Sequence, residues 1–272
     1  MPLAPQLDAY EFGHRLVTTG DLDPVYVAVY HSGMKGEVLH RWLVAYWCFY
    51  HAGTASWMVD GPDESDFWDR MGRAAATKEH PRCPERRHFR GGQAVRSVAY
   101  LAGRGVGNLL QPILEEGGTL SASWVMAEVQ TWLGFGGWIA FKAADMLERL
   151  GLAKIRFGLS TVMYDAPTEG ARLLWAKERA DAEPPHDVAH WAVDRLLSSR
   201  KLSGLMAPPL GDRPLGYQEC ETVLCKWKSH VSGRYHVGED VAALRKAITL
   251  DRYSKLNYSR ALLHGGEKGG LW

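Results

Sequence analysis

The longest uninterrupted apolar run in this chain is the nine residues from Trp42 to Tyr50, far short of the ~20 that a membrane span needs. The N-terminal stretch through Arg15 carries Asp8 and Glu11 and has no apolar signal core. A cytosolic protein with no membrane part is therefore expected. Cysteine is scarce, four in 272 residues, and Cys48, Cys83, Cys220 and Cys225 show no Cys-x-x-Cys pairing. A structural zinc site wants such pairs with histidine partners. Cys220 and Cys225 near His230 and His236 come nearest, so buried free thiols are expected and no metal. An excess of one charge is also missing: 32 Lys and Arg face 31 Asp and Glu, a net charge of +1. Without a basic coat, any nucleic-acid binding must come from local patches. Neither a Walker A motif nor a Rossmann fingerprint is present, which argues against a kinase or dehydrogenase, and no cofactor is expected.

What the chain has in excess is glycine, 29 residues, and tryptophan, 11. Glycine suits tight turns and close backbone approaches; tryptophan suits a helical core or a base-stacking surface. Apolar residues recur at three- and four-residue spacing from Leu39 to Met58, which predicts one strong helix there. Further helices are predicted over Phe67–Ala76, Gln93–Ala102, Asn108–Glu116, Thr168–Ala180, Pro185–Ser199, Tyr217–His230 and Glu239–Ile248, with Lys78–Gly92 as a Pro-bounded loop. Period-two strand patterns are rare. The fold class expected is all-α: a single helical domain over 1–272, two lobes being left open, with a Gly- and charge-rich loose tail from about 264.

The most informative stretch is Ser121–Gly151. Two helical patterns meet at Leu133-Gly134-Phe135-Gly136-Gly137. A helix, a Gly-x-Gly turn and a second helix make a helix–hairpin–helix. Its outward amides and following helix N-terminus favour a phosphate; a plain helical hairpin with a Gly turn has the same spacing. Downstream, Tyr164-Asp165-Ala166-Pro167 opens a further helix. Asp165 there is either a carboxylate able to steady developing positive charge or a helix cap.

The hairpin resembles that of the helix–hairpin–helix DNA glycosylase superfamily, whose alkyl-base branch reads Leu-Pro-Gly-Ile-Gly-Pro-Trp-Thr-Ala. Leu133, Gly134, Phe135, Gly136, Trp138 and Ala140 fit. The first proline is missing and Gly137 replaces the second. Three more segments narrow the resemblance: Thr19–Tyr26, Glu85–Gly91, and Glu221–His230 with Gly233–Asp240. Together they resemble the phage α-glutamyl/putrescinyl-thymine pyrophosphorylases, also called amino acid:DNA transferases, over about residues 10 to 250. The resemblance implies a glycosylase-like helical fold without glycosidic cleavage. It implies a substrate too: duplex phage DNA in which 5-hydroxymethyluracil carries a pyrophosphate, which an amino acid or polyamine displaces to give a hypermodified thymine. Base flipping and action in the host cytoplasm follow from that chemistry. A genuine DNA glycosylase is the alternative from the same fold, and a non-catalytic DNA-binding module the other.

Under this resemblance the catalytic candidates are Asp165 as charge stabiliser, Glu221 as the base for the amine, and Lys142. Arg86, Arg87, His88 and Arg90 would bind pyrophosphate, since guanidinium forks match phosphate oxygens; a solvated basic loop is the plainer reading. Gly134, Gly136, Gly137, Lys226, Lys228 and Arg234 would bind DNA, although the lysines equally suit the outer face of an amphipathic helix. Lys142 and Asp145 also suit a surface ion pair. Asp21 and Asp23 are either bases or caps of a helix starting at Pro24.

Overall fold

A computed structural model describes residues 7–158, 161, 163–179 and 182–272. Met1–Gln6, part of the N-terminus expected to lack a signal core, and Ala180 at the end of one expected helix lie outside these residues. The helices are α1 (Ala9–Thr18), α2 (Pro24–His31), α3 (Gly36–Phe49), α4 (Ala52–Val59), α5 (Glu64–Ala76), α6 (Gly91–Arg104), α7 (Val106–Leu114), α8 (Ala122–Gln130), α9 (Gly137–Arg149), α10 (Asp165–Glu178), α11 (Val188–Leu197), α12 (Tyr217–Val231), α13 (Glu239–Thr249) and α14 (Asn257–Lys268). The fold is all-α. The strands among the described residues are β1 (Leu120–Ser121) and β2 (Ile155–Arg156), a parallel pair. No described helix is long and apolar enough to cross a membrane.

The chain forms two compact units. One comprises residues 1–24, 157–242 and Leu271; the other comprises residues 25–156, 243–270 and Trp272. In the first, α10, α11 and α12 pack together and α1 lies on α12. Phe12, Leu16, Ala171, Leu174, Ala192, Leu196, Leu224 and Trp227 fill its core. The second is built around the aromatic helix α3, whose Trp42, Trp47 and Phe49 are fully buried. Trp47 meets Trp132 beside the hairpin at 6.1 Å, and Phe49 meets Phe89 of the basic loop at 5.5 Å. Hydrophobic burial of this core therefore also places the two segments that carry the candidate DNA chemistry.

Two expectations are corrected. The helix expected over Leu39–Met58 is broken into α3 and α4. Tyr50 adopts φ 50°, and His51 restarts the chain as the N-cap of α4, its Nδ1 accepting from the Thr54 N–H at 3.1 Å. Apolar spacing carries through the break because both helices bury their faces in one core. The tail expected to be loose from His264 is the second half of α14. A Cβ on Gly265 would lie 2.1 Å from the Ala28 carbonyl, so glycine here serves close approach of α14 to α2.

Candidate nucleic-acid interface and active site

Within Ser121–Gly151 the chain forms α8, a turn over 131–136, and α9, and the two helices pack on each other. Ser121 caps α8, accepting from the Trp124 N–H at 3.2 Å. Gly134 has φ 86°, and a Cβ there would sit 3.0 Å from Ser97 Oγ, so the turn needs glycine at that position. Gly136 is the N-cap of α9, and a Cβ there would meet nothing within 4 Å.

Three of the turn's carbonyls accept from side chains. Tyr100 Oη donates to the Thr131 carbonyl at 3.3 Å, Ser97 Oγ donates to that of Leu133, and Arg86 Nη1 donates to that of Gly134 at 3.2 Å. The amides are left over. Phe135 donates to the Trp132 carbonyl at 3.0 Å, but those of Leu133, Gly134, Gly136, Gly137, Trp138 and Ile139 donate to no acceptor among the described residues. Amides without an acceptor at the start of a helix are where an anion gains most.

Arg86 does not belong to an open clamp, which corrects that expectation. It is 8% exposed, and its Nε donates to the Cys48 carbonyl at 2.9 Å. Its guanidinium also lies over the rings of Phe89 and Phe135, at 4.6 and 5.2 Å. Burial pushes its pKa down from the usual guanidinium value. Arg86 therefore ties α3, the basic loop and the hairpin together. Arg87, His88 and Arg90 are exposed beside it, and Arg87 Nη1 donates to the Pro84 carbonyl at 2.9 Å. A short 3-10 turn at Pro84–Arg86 sends consecutive arginines opposite ways.

Lys142 and Asp145 are not a surface pair. They are 8% and 0% exposed on the inner face of α9, and Tyr26 Oη donates to Asp145 Oδ2 at 3.0 Å. Arg149 of the same face lies 4.9 Å from the Tyr26 ring. Burying charges is costly unless they are mutually compensated, so α9 carries a polar core rather than a charged exterior.

In the other unit, Asp165 is the first residue of α10 and is exposed; Tyr164 occupies the N-cap position. The carboxylate sits where the helix dipole favours it, without serving as the cap residue. Glu221 is 3% exposed on α12, and Thr222 Oγ1 donates to it at 3.3 Å.

The lysine patch is mostly committed within its unit, a second correction. Lys226 Nζ donates to the Asp21 and Leu22 carbonyls at 2.5 and 2.8 Å and pairs with Asp240 at 2.6 Å. Lys228 pairs with Glu169 at 2.7 Å. Arg234 alone of the three is exposed, its Nε donating to Ser232 Oγ at 2.8 Å. Asp21, expected as a base or as the cap of α2, instead caps α13 across the chain. Its carboxylate accepts from Tyr235 Oη at 2.6 Å, the Gly238 N–H at 2.6 Å and the Val241 N–H at 2.9 Å. Among the described residues no group of three or more His, Cys, Asp and Glu is placed to hold a metal ion. Burial pushes the Cys48 and Cys83 thiols up to about 12.

Sequence reasoning missed one cluster. A cavity of about 580 Å³ in the first unit is lined by Thr168, Arg172, Asp187, His190 and Tyr217, among others. Asp187 N-caps α11, its Oδ1 accepting from the His190 N–H at 3.4 Å while its Oδ2 meets His190 Nδ1. The signal available was the Asp-x-x-His spacing at a helix start.

Comparison with known proteins shows the family. Residues 17–236 match the family model described as amino acid:DNA transferase. The chain is 34% identical to a protein named glycinyltransferase from Pseudomonas phage PaMx11, covering 89% of this chain and 90% of that one. It is 30% identical to a protein named putrescinyltransferase from Delftia phage PhiW-14, covering 82% of this chain and 72% of that one. The motifs around Asp21, Arg86, the hairpin and α12 all fall inside the matched span, and the chain belongs to the amino acid:DNA transferase family.

Proposed function

We propose that this transferase joins an amine, an amino acid such as glycine, to 5-pyrophosphoryloxymethyl-uracil in duplex phage DNA within the host cytoplasm. The amine nitrogen forms a bond to the exocyclic methylene carbon, and the carbon–oxygen bond breaks with its electrons leaving on pyrophosphate. The observation that carries the DNA half of the reading is the hairpin. Three of its carbonyls accept from Tyr100, Ser97 and Arg86, and its amides at the start of α9 have no acceptor among the described residues, which suits a DNA phosphate. Chemistry on a base inside a duplex requires the base to leave the stack. Exposed Leu133, 47% accessible at the turn, supplies an apolar group to fill the gap.

Arg87, His88 and Arg90 are the exposed groups for the leaving pyrophosphate, Arg86 acting only by holding their loop. Asp165 steadies the positive charge that builds on the methylene carbon as pyrophosphate departs. The family relationship and the names of the two relatives support an amine as the second substrate. The test is to incubate pyrophosphorylated hydroxymethyluracil DNA with the protein and a panel of amines. Nucleosides are then identified by mass spectrometry, and pyrophosphate and abasic sites are assayed. A new aminomethyl nucleoside with released pyrophosphate is expected. Free base and alkali-labile strands would make the protein a glycosylase instead.

A further inference from the structure

Three cations of the first unit act on one carboxylate. Asp165, Glu169 and Arg172 of α10 follow one another at spacings of four and three, so they share one stripe of the helix, and all three are exposed. Lys228, in the last turn of α12, pairs with Glu169 at 2.7 Å, the lysine side chain being 20% exposed and the carboxylate 56%. The hydrogen bond from Lys228, with the charges of Arg234 and Arg172 behind it, holds the Glu169 carboxyl below the usual carboxylate range. Arg172 is in no ion pair among the described residues, and Arg234 is tied only through Nε, to Ser232 Oγ at 2.8 Å. Lys226, two residues before Lys228, is the contrast: it is held by two backbone carbonyls and Asp240. Lys228 has one partner, and that partner stands mostly in water. An ion pair so exposed adds little to stability. Another anion can take the place of its carboxylate without leaving a charge buried.

We propose that Arg172, Lys228 and Arg234 form a seat for a DNA backbone phosphate, which Glu169 occupies in the free protein and gives up when DNA binds. The proposal rests on the transferase reading above, which makes DNA the polyanion, and it uses groups of one unit alone. A phosphodiester carries one negative charge, as a carboxylate does, and offers guanidinium a similar pair of oxygens. Exchanging one for the other keeps Lys228 paired and gives Arg172 and Arg234 the anion they lack. Glu169, already exposed, turns out to water. The stripe also sets the seat one to two turns from Asp165, about 5–10 Å along the helix axis. If Asp165 stands beside the reacting base, the phosphates of the same nucleotide are the ones within reach. Glu169 competes for the same cations, so it weakens DNA binding, chiefly by hastening dissociation.

The test titrates the full chain by anisotropy against unmodified and pyrophosphorylated hydroxymethyluracil duplexes over a range of salt, with a melting curve and an amine-transfer assay for each variant. Glu169→Gln should melt as the wild type does and bind both duplexes about threefold more tightly or better, the scale of one exposed ion pair. Asp212→Asn is the control for net charge: it removes one exposed negative charge of the same unit, shortly before α12 begins rather than in its last turn, and should tighten binding much less. Lys228→Gln and Arg234→Gln should each weaken both duplexes and reduce the slope of log affinity against log salt by about 0.9. Unchanged or weaker binding by folded Glu169→Gln, or a gain no larger than that of Asp212→Asn, would overturn the seat; amine transfer by the wild type would leave the transferase standing. Effects confined to the pyrophosphorylated duplex would overturn the backbone assignment. A wild type that neither binds duplex nor transfers an amine would remove the transferase reading and the seat with it.

Discussion

At the scale of single residues, identical side chains do opposite work. Arg86 and Arg87 are neighbours, yet one is buried under two aromatic rings and the other faces solvent. Arg86→Ala should cost about 2–4 kcal/mol, because two charge-assisted hydrogen bonds are lost and the Cys48 and Gly134 carbonyls lose their donor. Arg87→Ala should leave the melting temperature nearly unchanged but slow turnover on pyrophosphorylated DNA far more than it weakens binding to unmodified duplex. Equal losses on the two DNAs would reduce Arg87 to a backbone contact. Asp165→Asn keeps the size of the side chain and removes its charge. Turnover should fall by roughly 10²-fold with DNA affinity unchanged; near-normal turnover would leave Asp165 favourable to its helix and nothing more. His51 gives a pH dependence with a defined sign. Burial, aided by nearby His80, lowers its pKa from 6.5 to about 4. The unfolded chain then binds a proton that the folded chain refuses between those values. Stability is complete above about pH 6.5 and declines toward pH 4, by at most about 3 kcal/mol from this group. His80 is shifted the same way. Asparagine can replace the Nδ1 cap without titrating, so His51→Asn should flatten the slope of urea-melt stability between pH 7.5 and 5.

At the scale of elements, the hairpin separates two demands on glycine. Gly134 is required by its backbone, with φ 86° and Ser97 3.0 Å from a virtual Cβ. Gly136 is not: its backbone is extended and the space around it is open. Gly134→Val should therefore destabilise the fold, while Gly136→Val should melt normally and bind DNA more weakly, its branched side chain covering the amides at the start of α9. Anisotropy titrations on the folded Gly136 variant decide the matter; unchanged affinity would leave the hairpin as scaffold alone. The capping of α13 by Asp21 shows that an element can be started by a residue more than two hundred positions away. No local capping pattern announces such an arrangement.

At the scale of the whole molecule, a net charge of +1 means that, on the proposed reading, DNA binding falls to a few exposed cations and the hairpin amides. Lys226→Gln should lower the melting temperature, because Lys226 holds the Asp21–Leu22 backbone and Asp240. It should not alter the slope of log affinity against log salt, whereas each true phosphate contact removed should reduce that slope by about 0.9. A reduced slope for Lys226→Gln would return it to the DNA surface. Much of this protein was readable from its residues alone. Helical periodicity and the scarcity of strand patterns announced an all-α fold. The Gly-x-Gly turn between two helical patterns located the hairpin, and four motifs pointed to the family that 17–236 matches. These are local signals, written in spacing and in the special backbone of glycine. What the folded chain alone settled is where long polar side chains end. Arg86 turns in to reach the Cys48 and Gly134 carbonyls, and Lys226 reaches the carbonyls of Asp21 and Leu22. Lys142 and Asp145 go to the inner face of α9. A flexible charged side chain goes to whichever distant acceptor or surface lowers its desolvation cost, and that partner lies elsewhere in the chain, beyond the reach of any periodicity.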